Sequence, residues 1–421
     1  MKKLLTFLSS FSLITTTSLF VISCKTNQNI QKSKENINID EEYADPEHMP
    51  VDDPNATRTV SVEEVRKKQI KAEKIKRQAT SEEKKKLENI FSEYENSFGT
   101  FHTYQDVVDQ LLVYAKEQGI DELTLSKTVK KDEYLKEDKQ GSQNNAVKLN
   151  LYATPMVFKP KKVLLNEVEE IYNGDQLIQI GYKLEPRIKS IEMKKVNEKT
   201  KKVPKHLPLK INSLNETFKK LESDRIDNLD QWDTKNIKYL TKTFNDAKAF
   251  NQDISSWNVS NVFDMTETFA GAEKFSKSLN SWDTSNVKDM NGLFWDAKEF
   301  NGDISKWNVK NVRDMSNMFS GAAKFNQDLN EWNTSNVVDM LGMFSEAVQF
   351  NGKISNWDVS NVADMERMFQ DAKSFEQNLN SWKPLKITQI TNFRKNAETK
   401  FTDDKLPQFS PEILKKVKSK L

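Results

Sequence analysis

Apolar residues return along residues 231–382 on a fixed beat. Trp232, Trp257, Trp282, Trp307, Trp332, Trp357 and Trp382 stand 25 residues apart, and of the eight tryptophans only Trp295 lies off that comb. Within one unit, Ile304, Trp307 and Val309 form an I-x-x-W-x-V phrase. Val312, Met315, Met318, Phe319, Ala322 and Phe325 follow it at spacings of 3, 3, 1, 3 and 3. The first phrase predicts a short strand; the second falls on one helical stripe and predicts a short helix or tight helical turns. A single continuous helix would also align the tryptophans, because the period is close to about seven helical turns. The S-N or K-N step and the F-N-[QG] step in each unit interrupt such a helix. A fixed period of this length therefore marks stacked repeats.

Two columns invite chemistry. Asp264, Asp289, Asp314, Asp339 and Asp364 give one carboxylate per unit, each three residues after Asn261, Asn286, Asn311, Asn336 or Asn361. That spacing is like a helix capping box, with the acid favoured by the helix dipole. Calcium needs a denser set of oxygens than any unit offers, so the column reads as capping and no metal is expected. The seven periodic tryptophans share the apolar phase of Ile304 and Val309 and read as core, not as a comb that grips sugar. Units also alternate between an I-S-x-W-x-V form (Ile254, Ile304, Ile354) and an L-x-x-W-x-T form (Leu229, Leu279, Leu329). The copying unit is therefore expected to span two periods.

The phrases W-D-T-S-N-V-K-D-M and F-N-Q-D-I-S-S-W-N-V resemble the repeats of BspA-like leucine-rich repeat surface proteins. They resemble most the form carried by mycoplasma lipoproteins, a domain of unknown function. The likeness covers roughly residues 207–400. It implies an α/β repeat: a leucine-rich-repeat-like right-handed solenoid with a parallel strand and a short helix per unit. It also implies cell-surface exposure, with adhesion or antigenic display as the associated role, and brings no catalytic residues.

Before the repeats, Lys2 and Lys3 precede an apolar run that ends in Val21, Ile22, Ser23 and Cys24. A basic start, an apolar core and small residues before the cut describe a secretory signal over residues 1–24. The ending resembles a bacterial lipobox, which implies cleavage before Cys24 and a diacylglycerol on its sulfur. Cys24 is the only cysteine of the chain, so no internal disulfide can form and anchoring is its natural role. Two acyl chains suffice for stable attachment, at about 0.8 kcal/mol per buried CH₂. The expected location is the outer face of the cell membrane. Residues 25–60 are polar and proline-containing and read as a disordered tether.

Residues 61–145 read as a charged helical region, with a capping pair at Thr80/Glu83 and a further helix from Thr103 to Gln118 stopped at Gly119. Its basic cluster from Arg66 to Arg77 is interleaved with Glu63, Glu64 and Glu73, which suits a solvated face. Residues 146–206 read as a small β-rich capping region, with a hairpin turn at Asn173-Gly174. Residues 207–231 form a degenerate first repeat, 232–381 six full repeats, and 382–421 a degenerate last repeat with a basic tail.

The charge balance is +2 at pH 7 with 30% charged residues, which gives no general attraction to nucleic acid. His48, His102 and His206 share no spacing, and no zinc, P-loop or nucleophile-elbow motif is present, so no catalytic residue and no cofactor is expected. A hydrolase with its site in the 61–206 region is the least favoured alternative. The outward positions of the predicted strands form a polar face. It comprises Ser255, Ser256 and Asn258; Asn280, Ser281 and Asp283; Ser305, Lys306 and Asn308; Asn330, Glu331 and Asn333; Ser355, Asn356 and Asp358. A host protein or glycan is the partner such a face suits, with the chain itself a monomer. The same small polar residues also suit any wetted sheet or a shielding, antigenic coat; these readings stand side by side.

Overall fold

The computed structural model describes residues 76–141 and 144–418. The predicted signal with Val21, Ile22, Ser23 and Cys24, the tether and most of the basic helix lie outside the described residues. Arg77–Leu421 forms one compact unit.

Two helices open it: α1 (Ser81–Tyr94) and α2 (Tyr104–Glu117). Each begins at a reciprocal capping box, Thr80 with Glu83 and Thr103 with Asp106, which satisfies two otherwise orphaned amides per helix. Gly119, at φ 80°, follows the end of α2. Leu87, Ile90 and Phe91 of α1 and Val107, Val108 and Leu111 of α2 share a core with an antiparallel sheet of β2 (Leu123–Leu125), β3 (Val147–Leu151) and β4 (Thr154–Phe158). The 145/146 boundary expected from sequence is not a physical division. Leu123 pairs with Leu151 across it, and the short strand β1 (Phe98–Gly99) pairs in parallel with β5 (Val163–Leu164).

The first core ends at Val163. A second core, joined by Phe101, runs from Val168 to Ile413. Parallel bridges link Gln176, Lys202 and Asp227, and link Glu192, Ser213 and Tyr239, so stacking begins before residue 207. The same bridging then passes from Tyr239 through Asp264, Asp289, Asp314, Asp339 and Asp364 to Gln389. Each coil of the chain thus lies on the next in parallel register.

The units contain no regular strand, and of the short helix or tight turns read from the second phrase they form turns; each is a succession of tight turns with one bridged residue. Two columns of left-handed residues explain this. One runs Lys242, Glu267, Gly292, Asn317, Gly342, Arg367, Asn392, and the other Asp246, Gly271, Asp296, Gly321, Glu346, Asp371, Asn396. Two left-handed residues four positions apart in every coil cannot sit within a right-handed helix. The amides between them alternate in use. Met315, Asn317, Phe319 and Gly321 donate to the carbonyls of Asp339, Leu341, Met343 and Ser345 in the next coil, at 3.0, 2.7, 2.9 and 2.8 Å. Met318, Ser320 and Ala322 donate to Met315, Asn317 and Phe319 in their own coil, at 3.2, 3.1 and 3.0 Å. One set of bonds ties coils and the other closes turns, so these backbone groups are paired without regular secondary structure. The predicted strand phrase is likewise a turn, with the Trp307 amide donating to the Ile304 carbonyl.

The two-period alternation has physical causes. Thr234, Thr284 and Thr334 are buried, and their hydroxyls donate to the carbonyls of Asn258, Asn308 and Asp358 in the following coil, at 3.0, 3.1 and 2.9 Å. Those following coils carry Val259, Val309 and Val359 at the equivalent place. Glycine alternates for a related reason. A Cβ on Gly321 would meet the Asp296 carboxylate, and one on Gly292 would meet Glu267, so each glycine makes room for the side chain of the coil before it.

Three aromatic columns fill the interior. Five adjacent tryptophan pairs of the comb stack at 5.9–6.5 Å between ring centroids. Phe244 to Phe369 and Phe250 to Phe375 stack likewise, at 5.5–6.1 Å. Each indole of the comb also donates its N–H to the carbonyl 28 residues earlier, in the preceding coil, at 2.8–3.3 Å. At the far end Phe393 and Phe401 turn edge-on to Phe369, Phe409 turns edge-on to Phe393, and α3 (Pro411–Lys418) sets Ile413 into the same core. Part of the expected basic tail is therefore a helix that covers the last coil.

Trp307→Phe removes the indole donor to the Leu279 carbonyl, which keeps its bond from the Trp282 amide, and leaves a small void. It should lower stability by about 2–4 kcal/mol, against about 0.5 kcal/mol for Trp295→Phe at the surface. Urea unfolding followed by circular dichroism checks this, and equal midpoints would refute the interior role. His102 gives a second expectation. Its ring is 2% exposed, takes a hydrogen bond from the Gly99 amide at 3.0 Å and lies 3.2 Å from the Tyr182 hydroxyl. Burial holds its pKa down, from 6.5 to about 4. Between these values the unfolded chain binds the proton and the folded chain does not, so stability falls as pH drops through that window, by up to about 3 kcal/mol. Urea midpoints between pH 7.5 and 4.5 should show the slope, and His102→Gln should flatten it; an unchanged slope in the variant assigns it elsewhere.

Candidate binding surface

The polar face predicted from sequence is on the surface, but most of its columns serve the stack. Its first column is half-buried. The Asn280 and Asn330 side-chain carbonyls accept from the amides of Lys306 and Asn356 in the next coil, at 2.8 and 2.9 Å, and the Asn280 amide donates to Asp303. Ser305 and Ser255 carry amides held by Asp303 and Asp253, and the Ser355 hydroxyl reaches Asn330. The Ser255 amide is also the main reason the Asp253 carboxyl lies below its usual range. In the second column, the Ser256 and Ser281 hydroxyls donate to the Asp230 and Ser255 carbonyls one coil back. In the third, Asn258, Asp283, Asn308, Asn333 and Asp358 each accept from the amide two residues on, closing an Asx turn. The exposed members Lys306, Glu331 and Asn356 remain as side chains directed to solvent rather than to the next coil.

The aspartate column is also reassigned in detail. Asp264, Asp289, Asp314, Asp339 and Asp364 are the bridged residues, and each accepts from the amide two residues ahead at 2.8–2.9 Å. They cap turns rather than a helix. The neighbouring asparagines do not cap at all: Asn261, Asn286, Asn311, Asn336 and Asn361 donate to carbonyls one coil back at 2.7–2.8 Å. Burial, and less strongly the charge of Asp314 in the adjacent coil, raise the carboxyls of Asp289 and Asp339 against the opposing hydrogen bonds from the Asn291 and Leu341 amides. Among the described residues no group of three or more His, Cys, Asp or Glu side chains is placed to hold a metal ion. The two described histidines are structural: His102 lies in the core, and His206 sits against the Tyr114 ring and 3.2 Å from a Glu117 oxygen.

Trp232, Trp257, Trp282, Trp307, Trp332, Trp357 and Trp382 are all at most 4% exposed, whereas Trp295 is 47% exposed. It occupies a column held elsewhere by Asn245, Ala270, Ser320, Ser345 and Gln370, and its carbonyl accepts from the Gly271 amide. Its departure from the 25-residue comb was the signal that it stands outside.

Residues 212–328 and 302–409 each match the profile of a family described as "Mycoplasma protein of unknown function, DUF285". No curated protein and no solved structure matches the chain. The stacked coils of this chain are thus similar to a mycoplasma repeat family whose function is unassigned.

Proposed function

We propose that the chain is a cell-surface lipoprotein, held by a diacylglycerol on Cys24 and displaying its coils as a rigid, non-enzymatic binding scaffold for adhesion or host interaction. In this reading the coils form a right-handed solenoid of the leucine-rich-repeat-like kind. The observation that carries it is the strict register of the stack. Coil-to-coil hydrogen bonds recur at every period, so surface side chains one coil apart are held at a fixed separation. Such spacing suits an extended partner that makes many modest contacts. The anchoring part rests on the lone cysteine at the end of the apolar leader.

A second reading has its own support. Ser256, Ser281, Asn280 and Asn330 are engaged within the stack, which fits a surface coat that shields or presents epitopes without a specific ligand. The two separate experimentally. Joint replacement of Lys306, Glu331 and Asn356 by Ala leaves the coil-to-coil bonds in place. It should weaken saturable binding of the full chain to host cells or matrix by about tenfold, as removal of a few rim contacts does. Binding that never saturates in either form would establish the coat, and saturable binding untouched by the triple change would move the interface off these columns. The anchor has a separate readout, since Cys24→Ser should shift the chain from the membrane fraction to the medium.

A further inference from the structure

At the junction of the opening segment with the first coils lies a groove of about 730 Å³. Its walls carry Phe101, Tyr134, Leu184 and Leu209, and its polar lining consists of Thr100, Lys189, Lys210, Lys238 and the asparagines 166, 212, 236 and 261, with no carboxylate in the lining. Several of these groups have structural duties. Lys210 is paired with Asp106 at 2.7 Å, and the Asn236 and Asn261 amides donate to the Leu209 and Lys235 carbonyls. The Asn212 side-chain carbonyl accepts from the Ile191 amide, and that of Asn166 accepts from the Thr100 hydroxyl.

What remains is specific. Lys189 and Lys238 make no ion pair among the described residues. The NH₂ groups of Asn166 and Asn212 are left as donors, and the side-chain carbonyls of Asn236 and Asn261 as acceptors. Tyr134 stands 58% exposed beside them. Two ammonium groups call for an anion; donors interleaved with acceptors call for groups that do both, which hydroxyls do. An exposed aromatic face suits the C–H face of a ring. A phosphate alone would leave the acceptors unmatched, and an uncharged sugar would leave the ammonium groups without a counterpart.

We propose that this groove binds an acidic saccharide: a hydroxylated ring that carries a carboxylate or a sulfate. Lys189 and Lys238 meet the acid, Asn212, Asn166, Asn236 and Asn261 meet the hydroxyls, and Tyr134 covers one ring face. The groove shares no residue with the outward columns of the coils, so its ligand is tested separately from theirs.

The test uses the full chain in detergent, immobilised, with four probes of similar length: a heparin oligosaccharide, a hyaluronan oligosaccharide, a malto-oligosaccharide and polyphosphate. The expected result is saturable binding of one or both acidic saccharides, with the sulfated and carboxylated arms identifying the acid. The neutral sugar and the polyphosphate should bind at least about tenfold more weakly. Lys189→Ala with Lys238→Ala, and separately Tyr134→Ala, should weaken that binding by about tenfold or more, at an unchanged thermal midpoint because all three side chains are exposed. Lys353→Ala, at a distant exposed site, should change nothing. Failure of both acidic probes to bind overturns the proposal. So does equal binding of polyphosphate or of the neutral sugar, or acidic-saccharide binding that is indifferent to all three substitutions.

Discussion

A coil without strands or helices must still pair its backbone groups, and here the coil above and the coil below supply half of the partners. Amides that point along the stack bond the neighbouring coil, and those between them close turns within their own. Side chains extend the same logic. The indole N–H of every comb tryptophan, the amide of the asparagine column and the threonine hydroxyls of alternate coils all donate to carbonyls one coil away. A buried donor left without an acceptor costs about 1–3 kcal/mol, so each of these columns is fixed by its neighbours as firmly as by its own unit. Register is the property on which everything else in the fold rests.

This dependence explains why the sequence was legible in some respects and opaque in others. The comb, the apolar columns and the two-period alternation are written in residue identity, because each maps onto one buried position per coil. Trp rather than Leu at residue 307 is a statement about a hydrogen bond as well as about volume. The choice between a short helix and tight turns was not legible. Spacings of three and four between Val312 and Phe325 are those of a helix, and the left-handed positions that forbid it are filled by Lys242, Glu267, Glu346 and Arg367 as well as by glycine. A charged residue with positive φ looks no different in sequence from one on a solvated helix. The domain line was misplaced because β2 and β3 pair across a stretch of charged loop, and the last helix was hidden because only Ile413 of it is buried.

The candidate surface shows the same division. Small polar residues in outward columns were read as a face, and outward they are, yet Asn280, Asn330, Ser256 and Ser281 hold the stack together. What they leave for a partner is a sparser set of Lys306, Glu331 and Asn356, on a scaffold whose spacing cannot drift. The junction groove arose from no motif at all. Thr100, Asn166, Lys189 and Lys238 are far apart in the chain, and only the docking of the opening segment against the first coils brings them to one place.

The most direct measurement of the register claim is hydrogen exchange at the eight indole N–H groups, followed by ¹⁵N NMR. Seven should exchange only as the stack opens, as slowly as the most protected backbone amides, and the eighth, from Trp295, should exchange at the rate of an exposed ring. Rapid exchange at two or more of the periodic tryptophans in the middle of the stack would contradict the account.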